Sequence, residues 1–97
     1  MNAKICQAIA SRSVLRFSYD GGTRAVEPYC HGVSTAGHEV LRGYQTGGYS
    51  QSGNPTGWKL YEVAKMSGLS QTEQTFATNR AGYNPNDRGM SSIHCNV

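Results

Sequence analysis

The chain has few charged residues, an odd number of cysteines and no long apolar run. Charged residues make up 15% of its 97 residues, and the nine Lys and Arg exceed the six Asp and Glu by three. This balance permits a polyanionic partner but falls short of the basic surface typical of nucleic-acid-binding proteins. No stretch approaches the ~20 apolar residues of a membrane-spanning helix, and the first residues lack the apolar core of a signal peptide. We therefore expect one soluble domain over residues 1–97, with no membrane association.

The three cysteines, Cys6, Cys30 and Cys95, show no regular spacing. Such a set does not predict the disulfide framework of a small secreted protein, and it favours free thiols in a reducing, cytoplasmic setting. Cys30 and Cys95 each adjoin a histidine, His31 and His94, but neighbouring residues on a strand point to opposite faces, and the C-x2-C spacing of zinc sites is missing. We therefore expect no metal and no other cofactor, with buried thiols and surface histidines.

Recognisable catalytic and phosphate-binding motifs are also missing. Gly43 and Gly48 have the spacing of P-loop glycines, but Tyr49 occupies the position of the lysine and no helix-forming sequence follows. The chain has no nucleophile elbow, no zinc-protease motif and no paired-carboxylate motif. We expect a protein that is not an enzyme, in which the glycine-rich residues 43–57 form a long connection between strands.

What the sequence does contain is one short helical pattern followed by several strand patterns. Ile5, Ala8 and Ile9 have helical spacing, which predicts a helix over about residues 2–12. The segment "SVLRFSYD" then alternates with period two and ends in a hairpin turn at Asp20 and the two glycines after it. The other strand candidates are "TRAVEPYCHGVS", "HEVLRGYQ", "GWKLYEVAKM" and "SSIHCNV", while "SGLSQTEQTF" indicates a short strand or a turn.

About five short strands after one helix favour a small antiparallel β-barrel over about residues 14–97, because closure removes exposed edges. Pro28 restricts the second strand to an edge position or a β-bulge, since proline has no amide proton for the ladder. Alternation places Leu15, Phe17 and Tyr19 on one face of the first strand. The expected fold class is thus mainly β with a short N-terminal helix.

Aromatic residues stand beside cations on several strand candidates, as in proteins that stack the bases of single-stranded nucleic acid. One hypothesis is that these residues share a groove on a curved sheet. The alternative is that the aromatic residues belong to the core and the cations are solvated strand residues whose stems pack on it. The candidate ligand-binding residues are Arg16, Arg24, Arg42, Tyr44, Tyr49, Lys59 and Lys65.

The order of these motifs resembles the WYL domain family over most of residues 5–66. The helix "ICQAIASR", the strand end "FSY", the segment "RAVEP" and the strand "LRGY" follow the family's order, and Lys65 and Met66 occupy the place of its Arg-Ile. The tripeptide that names the family aligns with residues 39–41 and retains only its leucine. The resemblance implies a five-stranded Sm-like β-barrel that binds a nucleic acid or nucleotide-like effector in a basic groove, with Arg24 and Lys65 as groove cations.

WYL domains occur most often in bacterial transcription regulators and defence systems, where many follow a winged helix-turn-helix. The resemblance therefore implies a regulatory, ligand-sensing module that works with a separate DNA-binding protein. A hypothesis from a different class is a protein-interaction or homo-oligomerisation module that pairs through the edge strand marked by Pro28.

Overall fold

The computed structural model describes residues 2–50 and 53–97. Its elements are α1 (Ala3–Ser11), β1 (Ser13–Tyr19), β2 (Gly22–Ser34), β3 (Glu39–Gly48), β4 (Gly57–Glu62), a 3-10 turn (Val63–Lys65), β5 (Ser67–Thr75) and β6 (Met90–Asn96). The prediction of a mainly β protein with a short N-terminal helix is confirmed. Within the described ranges, no helix has both the length and the apolar character needed to cross a membrane.

The six strands form one antiparallel sheet in the order β4-β3-β2-β1-β5, with β6 paired to β2. β2 has two neighbours on the same side because it is 13 residues long: its first half pairs with β1 and its second half with β6. β4 and β5 lie at opposite ends of this order, so the sheet is open and the prediction of a closed barrel is wrong. The reason lies in the pairing: β5 pairs only with β1 and β4 only with β3 among the described strands, so the two edges do not meet.

The helix forms where its apolar spacing predicts. The Asn2 side chain caps its N-terminus by accepting two backbone N–H groups of the first turn, and Arg12 ends it in a left-handed conformation with φ 51°. Ile5, Ala8 and Ile9 are its buried residues and pack on the sheet. The predicted helix is confirmed.

The β1–β2 hairpin and the bulge in β2 follow from local sequence. Asp20 and Gly21 have φ of 49° and 90°, the positive values that a two-residue type I′ turn requires. Pro28 pairs with Gly43 of β3, and Cys30 pairs with the neighbouring Arg42. Tyr29 therefore has no partner on β3 and is the extra residue of a β-bulge. Pro28 is therefore tolerated in an interior strand, and of its two predicted placements the bulge is the one observed.

Each face of the sheet is covered by a different part of the chain. The face covered by α1, called the helix face below, has a core of Ile5, Ala8, Ile9, Leu15, Phe17, Tyr19, Val26, Leu41 and Tyr61. The opposite face, called the loop face, is covered by residues 76–89 between β5 and β6, where Phe76 and Tyr83 pack with Val14 and Tyr29. The predicted apolar face of β1 is thus buried under the helix.

The glycine-rich connection is shorter than the predicted residues 43–57. β3 continues to Gly48, because Gly47 and Gly48 pair with Ala25 and Arg24 of β2. Part of the remaining connection, residues 51–52, lies outside the described residues. β4 is also shorter than "GWKLYEVAKM" predicts, since the 3-10 turn begins at residue 63.

Cys6 and Cys95 form a disulfide that joins α1 to β6, with their Cα atoms 5.7 Å apart. The prediction of free thiols is wrong for this pair, because the fold brings together residues that are 89 positions apart in the sequence. Cys30 is a free, buried thiol, as predicted, and burial raises its pKa to about 11. The disulfide removes the cysteine argument for a reducing compartment, so a cytoplasmic location stays a prediction.

His31 is fully buried, so its predicted surface position is wrong, whereas His94 is exposed. The Nδ1 atom of His31 lies 2.9 Å from the backbone oxygen of Val40, and its Nε2 atom lies 2.8 Å from a carboxylate oxygen of Glu39. The ring is buried because both nitrogens meet polar partners on the helix face.

Candidate ligand-binding cleft

A cleft of about 360 Å³ lies on the loop face where β3 and β4 meet residues 82–89. This volume is at the lower end of the ~300–1,000 Å³ typical of small-molecule sites. The cleft is lined by Arg42, Trp58, Gly82, Tyr83, Asn84, Asp87, Arg88 and Gly89. It therefore combines aromatic rings with charged groups in a space for one small ligand.

Trp58 and Tyr83 form the aromatic wall of the cleft, with ring centroids 6.1 Å apart and ring planes 24° from parallel. The Trp58 indole N–H donates to the backbone oxygen of Ala81 at 2.8 Å, which fixes the ring and occupies its one donor. Gly82 has φ of 91°, and a β-carbon there would lie 3.1 Å from the indole nitrogen, so glycine suits this position on both counts. The wall is therefore held in place from its loop side.

A cluster of buried rings supports this wall from below. Tyr29 is fully buried, and its ring lies 4.8 Å from Trp58, 5.2 Å from Phe76 and 5.3 Å from Tyr83. Tyr44 meets the edge of Trp58 at 5.5 Å. Aromatic pairs in such geometries stabilise the fold by about 0.5–1.5 kcal/mol each beyond their buried area. These contacts therefore help to hold the wall in position.

Glu27 and Arg80 attach the loop segment to the sheet. Arg80 donates two hydrogen bonds of 3.0 Å to the two carboxylate oxygens of Glu27, whose side chain is only 6% exposed. The Tyr29 hydroxyl donates to the same carboxylate at 3.1 Å, and the Arg80 guanidinium lies 4.6 Å from the Tyr44 ring centroid. Hydrogen bonding to Glu27 raises the pKa of Arg80. The pair fixes the start of the segment that forms the cleft.

A second ion pair lies in the cleft itself. The Nε and Nη2 atoms of Arg42 donate to the Asp87 carboxylate at 2.7 and 3.2 Å, and the Gly89 backbone N–H donates to it at 2.8 Å. The hydrogen bonds from Arg42 lower the pKa of Asp87. The charge of Arg42 is therefore largely neutralised, and its role is to hold the loop.

Arg88 supplies the uncommitted positive charge of the cleft. Its side chain is exposed, and its guanidinium makes no hydrogen bond or ion pair with another residue in the described parts of the chain. The cleft lining holds two arginines and one aspartate, so it carries one net positive charge. An anionic group is the complement to this arrangement.

The Tyr83 hydroxyl is the one polar group of the wall that has no partner in the described parts of the chain. It is buried and has no hydrogen-bond partner among residues 2–50 and 53–97, and burial raises the pKa of Tyr83. An unmet buried hydroxyl costs about 1–3 kcal/mol, and because the oxygen is inaccessible to solvent it is not part of the open surface of the cleft.

The predicted ligand-binding residues do not share one groove. On the loop face, Arg42 lines the cleft and Tyr44 supports it beneath Trp58. Arg16 is exposed on β1 and is not part of the cleft lining.

Arg24 and Tyr49 belong to the helix face. Arg24 is 5% exposed, donates to the backbone oxygen of Tyr19 at 3.3 Å, and has a second contact to Gln45 at 3.5 Å. Its guanidinium lies 5.2, 5.6 and 5.9 Å from the ring centroids of Tyr19, Tyr49 and Tyr61. Arg24 is therefore a core residue in an aromatic cage, and Tyr49, at 44% exposure, is the outer side of that cage.

The two predicted lysines also lie away from the cleft. Lys59 pairs with Gly43 and shares the helix side of β4 with the buried Tyr61. Lys65 is exposed in the 3-10 turn, where an ion pair of 3.3 Å with Glu62 raises its pKa.

The sequence analysis does not single out Tyr83, Asn84, Asp87 and Arg88, because they lie in the connection between two strand candidates and belong to no recognisable motif. The segment "NRAGYNPNDRG" holds two arginines, an aspartate and a tyrosine among turn residues. This density of charged and aromatic side chains in a connection could have marked the segment as a candidate binding site, since binding residues concentrate on loops held by a rigid scaffold.

No family model, curated protein or solved structure matches this chain. In the described ranges, no group of three or more His, Cys, Asp and Glu side chains is arranged to hold a metal ion. The function is therefore inferred from the chemistry of the cleft.

Proposed function

We propose that the protein is a non-enzymatic module that binds single-stranded nucleic acid or a nucleotide-like ligand in the cleft of the loop face. The observation that carries this proposal is the Trp58–Tyr83 wall beside the uncommitted guanidinium of Arg88. Stacking of a base on an aromatic side chain contributes about 1–3 kcal/mol, and an arginine binds phosphate through charge-assisted hydrogen bonds.

The WYL resemblance belongs to the same proposal. The observed order of one helix followed by strands over residues 5–66 supports the resemblance. Together with the open sheet, the resemblance implies an opened relative of the Sm-like fold. The ligand site proposed here differs from the groove that the resemblance implies, because Arg24 is buried and the cleft uses residues 82–89. In this proposal the module is regulatory, and a separate DNA-binding protein responds to its ligand.

The proposal is tested by fluorescence anisotropy with short labelled oligonucleotides and labelled mononucleotides at two salt concentrations. Binding should weaken with salt, by a slope of about −0.7 per phosphate contacted on a single strand. Arg88→Ala should weaken binding by about tenfold, since it removes a charged hydrogen bond. The matched control is Arg16→Ala, which removes an exposed charge outside the cleft and should leave affinity unchanged. Absence of binding to every probe at low salt would refute the proposal.

A protein-interaction module is the second candidate, favoured by the open edge of the sheet. β4 pairs with β3 alone among the described strands, and its Leu60 side chain is 39% exposed. An edge of this kind can accept a strand from a partner or from a second copy of the chain. Light scattering of the wild type and of Leu60→Lys tests it: a dimer lost in the variant supports edge pairing, and a monomeric wild type excludes self-association.

A further inference from the structure

Among the described residues that line the cleft, only Arg42 and Arg88 are cationic, so the lining holds no row of positive charges. Domains that hold a strand of about 4–16 nucleotides do so with a basic groove that follows the phosphates. Here Arg42 is paired with Asp87, and Lys59 and Lys65 lie away from the cleft lining. Arg88 is thus the one uncommitted cation among the residues that line the cleft.

The volume of the cleft, like its charges, suits a single small ligand. A space of about 360 Å³ lies near the lower limit for small-molecule sites, so the cleft admits one small ligand and not a run of several nucleotides. The Trp58–Tyr83 wall offers a stacking surface for one such ring system.

The polar groups that remain uncommitted at the cleft are mainly donors. The Asp87 carboxylate is occupied by Arg42 and the Gly89 N–H, and the Asn84 side-chain oxygen accepts the Asn86 N–H at 3.0 Å. The exposed Arg88 guanidinium and Asn84 amide N–H groups remain as donors. This lining selects an aromatic ligand with an anionic group and disfavours an aromatic cation, which would need a free carboxylate.

We infer that the cleft binds one nucleotide, either a free mononucleotide or the terminal nucleotide of a strand, with the base against Trp58 and Tyr83 and the phosphate at Arg88. This inference rests on the proposed function and narrows it from a strand to a single unit.

The intrinsic fluorescence of Trp58 provides the test, because it is the one tryptophan in the sequence. Stacking of a base should quench its emission, so binding can be followed without a label. The probes are adenosine, adenosine 5′-monophosphate, and a linear and a circular oligoadenylate, both of about ten nucleotides. We expect the monophosphate to bind about tenfold more tightly than adenosine, because it adds a charged hydrogen bond to Arg88.

The two oligonucleotides distinguish the sources of the nucleotide. Binding by the linear form but not by the circular form assigns the cleft to strand ends, and binding by neither assigns it to free mononucleotides; both results support the inference. Equal binding by both forms, with a salt slope several times the ~0.7 of one phosphate contact, overturns the inference and leaves the proposed function standing. Failure of every probe to change the emission overturns both.

Two variants test the position of the phosphate. Arg88→Ala should bring the affinity for the monophosphate down to that for adenosine, while Arg16→Ala should keep the tenfold difference. An unchanged difference in Arg88→Ala overturns the assignment of the phosphate to this arginine. Both side chains are exposed, so neither variant should disturb folding.

Discussion

At the scale of single residues, Arg24 carries a positive charge inside the helix face, where its partners are three tyrosine rings and two carbonyl groups. Cation–π contacts contribute about 0.5–2 kcal/mol each, depending on how far they are desolvated. We expect Arg24→Ala to lower the free energy of unfolding by about 2 kcal/mol, through lost packing and the unfilled cage. Urea denaturation measures this change.

The control for Arg24→Ala is Arg16→Ala, which removes the same charge from an exposed position. Its effect should stay within about 0.5 kcal/mol. Equal stability of the two variants would contradict the structural role of Arg24.

Asp87 gives the protein a defined dependence on acid. Its pKa in the folded state is lowered, first by the hydrogen bonds from Arg42, whereas an unfolded aspartate titrates near ~3.9. A carboxyl with a lowered folded pKa contributes stability that is complete above the unfolded pKa and is lost as the pH falls through the folded one. We therefore expect wild-type stability to fall more steeply below about pH 4 than that of Asp87→Asn. Parallel stability curves in urea titrations across this range would contradict the ion pair.

The roles of residues were predictable where alternation or helical spacing decides burial. Phe17 and Ile5 follow these patterns and are core residues. Arg24 breaks the pattern because arginine is almost never fully buried, and its cage includes Tyr49 and Tyr61 from elsewhere in the chain. No local signal marks such a position.

At the scale of elements, residues 76–89 are neither helix nor strand, yet they form one side of the cleft. Their position depends on contacts to Glu27 and Arg42, which lie on β2 and β3. We expect Glu27→Gln to loosen this segment, because a neutral amide holds Arg80 less well than a carboxylate. Hydrogen exchange should accelerate at residues 76–89 more than at the β1–β2 ladder.

The matched control for this variant is Glu73→Gln, since Glu73 is exposed on β5. It removes the same charge and should leave the exchange of residues 76–89 unchanged. Uniform acceleration across the sheet in Glu27→Gln would indicate a global loss of stability instead of a local attachment.

The difference between local signals and long-range contacts explains which elements were predictable. The helix and the first hairpin are specified by spacing, an N-cap and a two-residue turn, all within a few residues. β5 was ambiguous because its polar residues have no alternation of apolar side chains, and its strand conformation comes from pairing with β1. The loop segment contains local turns, in which the Asn86 N–H donates to the Asn84 side chain, but distant ion pairs set its position on the sheet.

At the scale of the whole molecule, the Cys6–Cys95 disulfide links the first element of the chain to the last strand. Its two residues are 89 positions apart, and closing a loop of this size stabilises a fold typically by about 2–4 kcal/mol, mainly through the unfolded state. We expect reduction to lower the free energy of unfolding by about this amount. Thermal or urea unfolding with and without a reductant measures the difference.

Two variants make this prediction specific. Cys6→Ser combined with Cys95→Ser should unfold identically with and without the reductant, whereas Cys30→Ala should retain the full response. A wild type that is indifferent to the reductant would contradict the disulfide. The pairing was beyond sequence reasoning, because an odd cysteine count leaves the partners undefined and only the tertiary fold brings them together.

Local sequence patterns also could not predict whether the sheet closes. Strand patterns indicate which segments are extended, but whether the last strand meets the first depends on twist, register and strand length together. Here the 13 residues of β2 take both β1 and β6 as neighbours on one side, and the sheet stays open. The open arrangement leaves the loop face to residues 76–89 and so creates the cleft.

The proposed ligand site is this cleft and not the cage around Arg24. The most direct measurement is a titration of the ¹⁵N-labelled protein with adenosine 5′-monophosphate, followed by ¹H–¹⁵N correlation spectra. We predict that the largest shifts fall on the Trp58 indole N–H and on the backbone amides of residues 82–89. Shifts concentrated around Arg24, Tyr49 and Lys65, or no shifts at saturating nucleotide, would show that the cleft is not the ligand site.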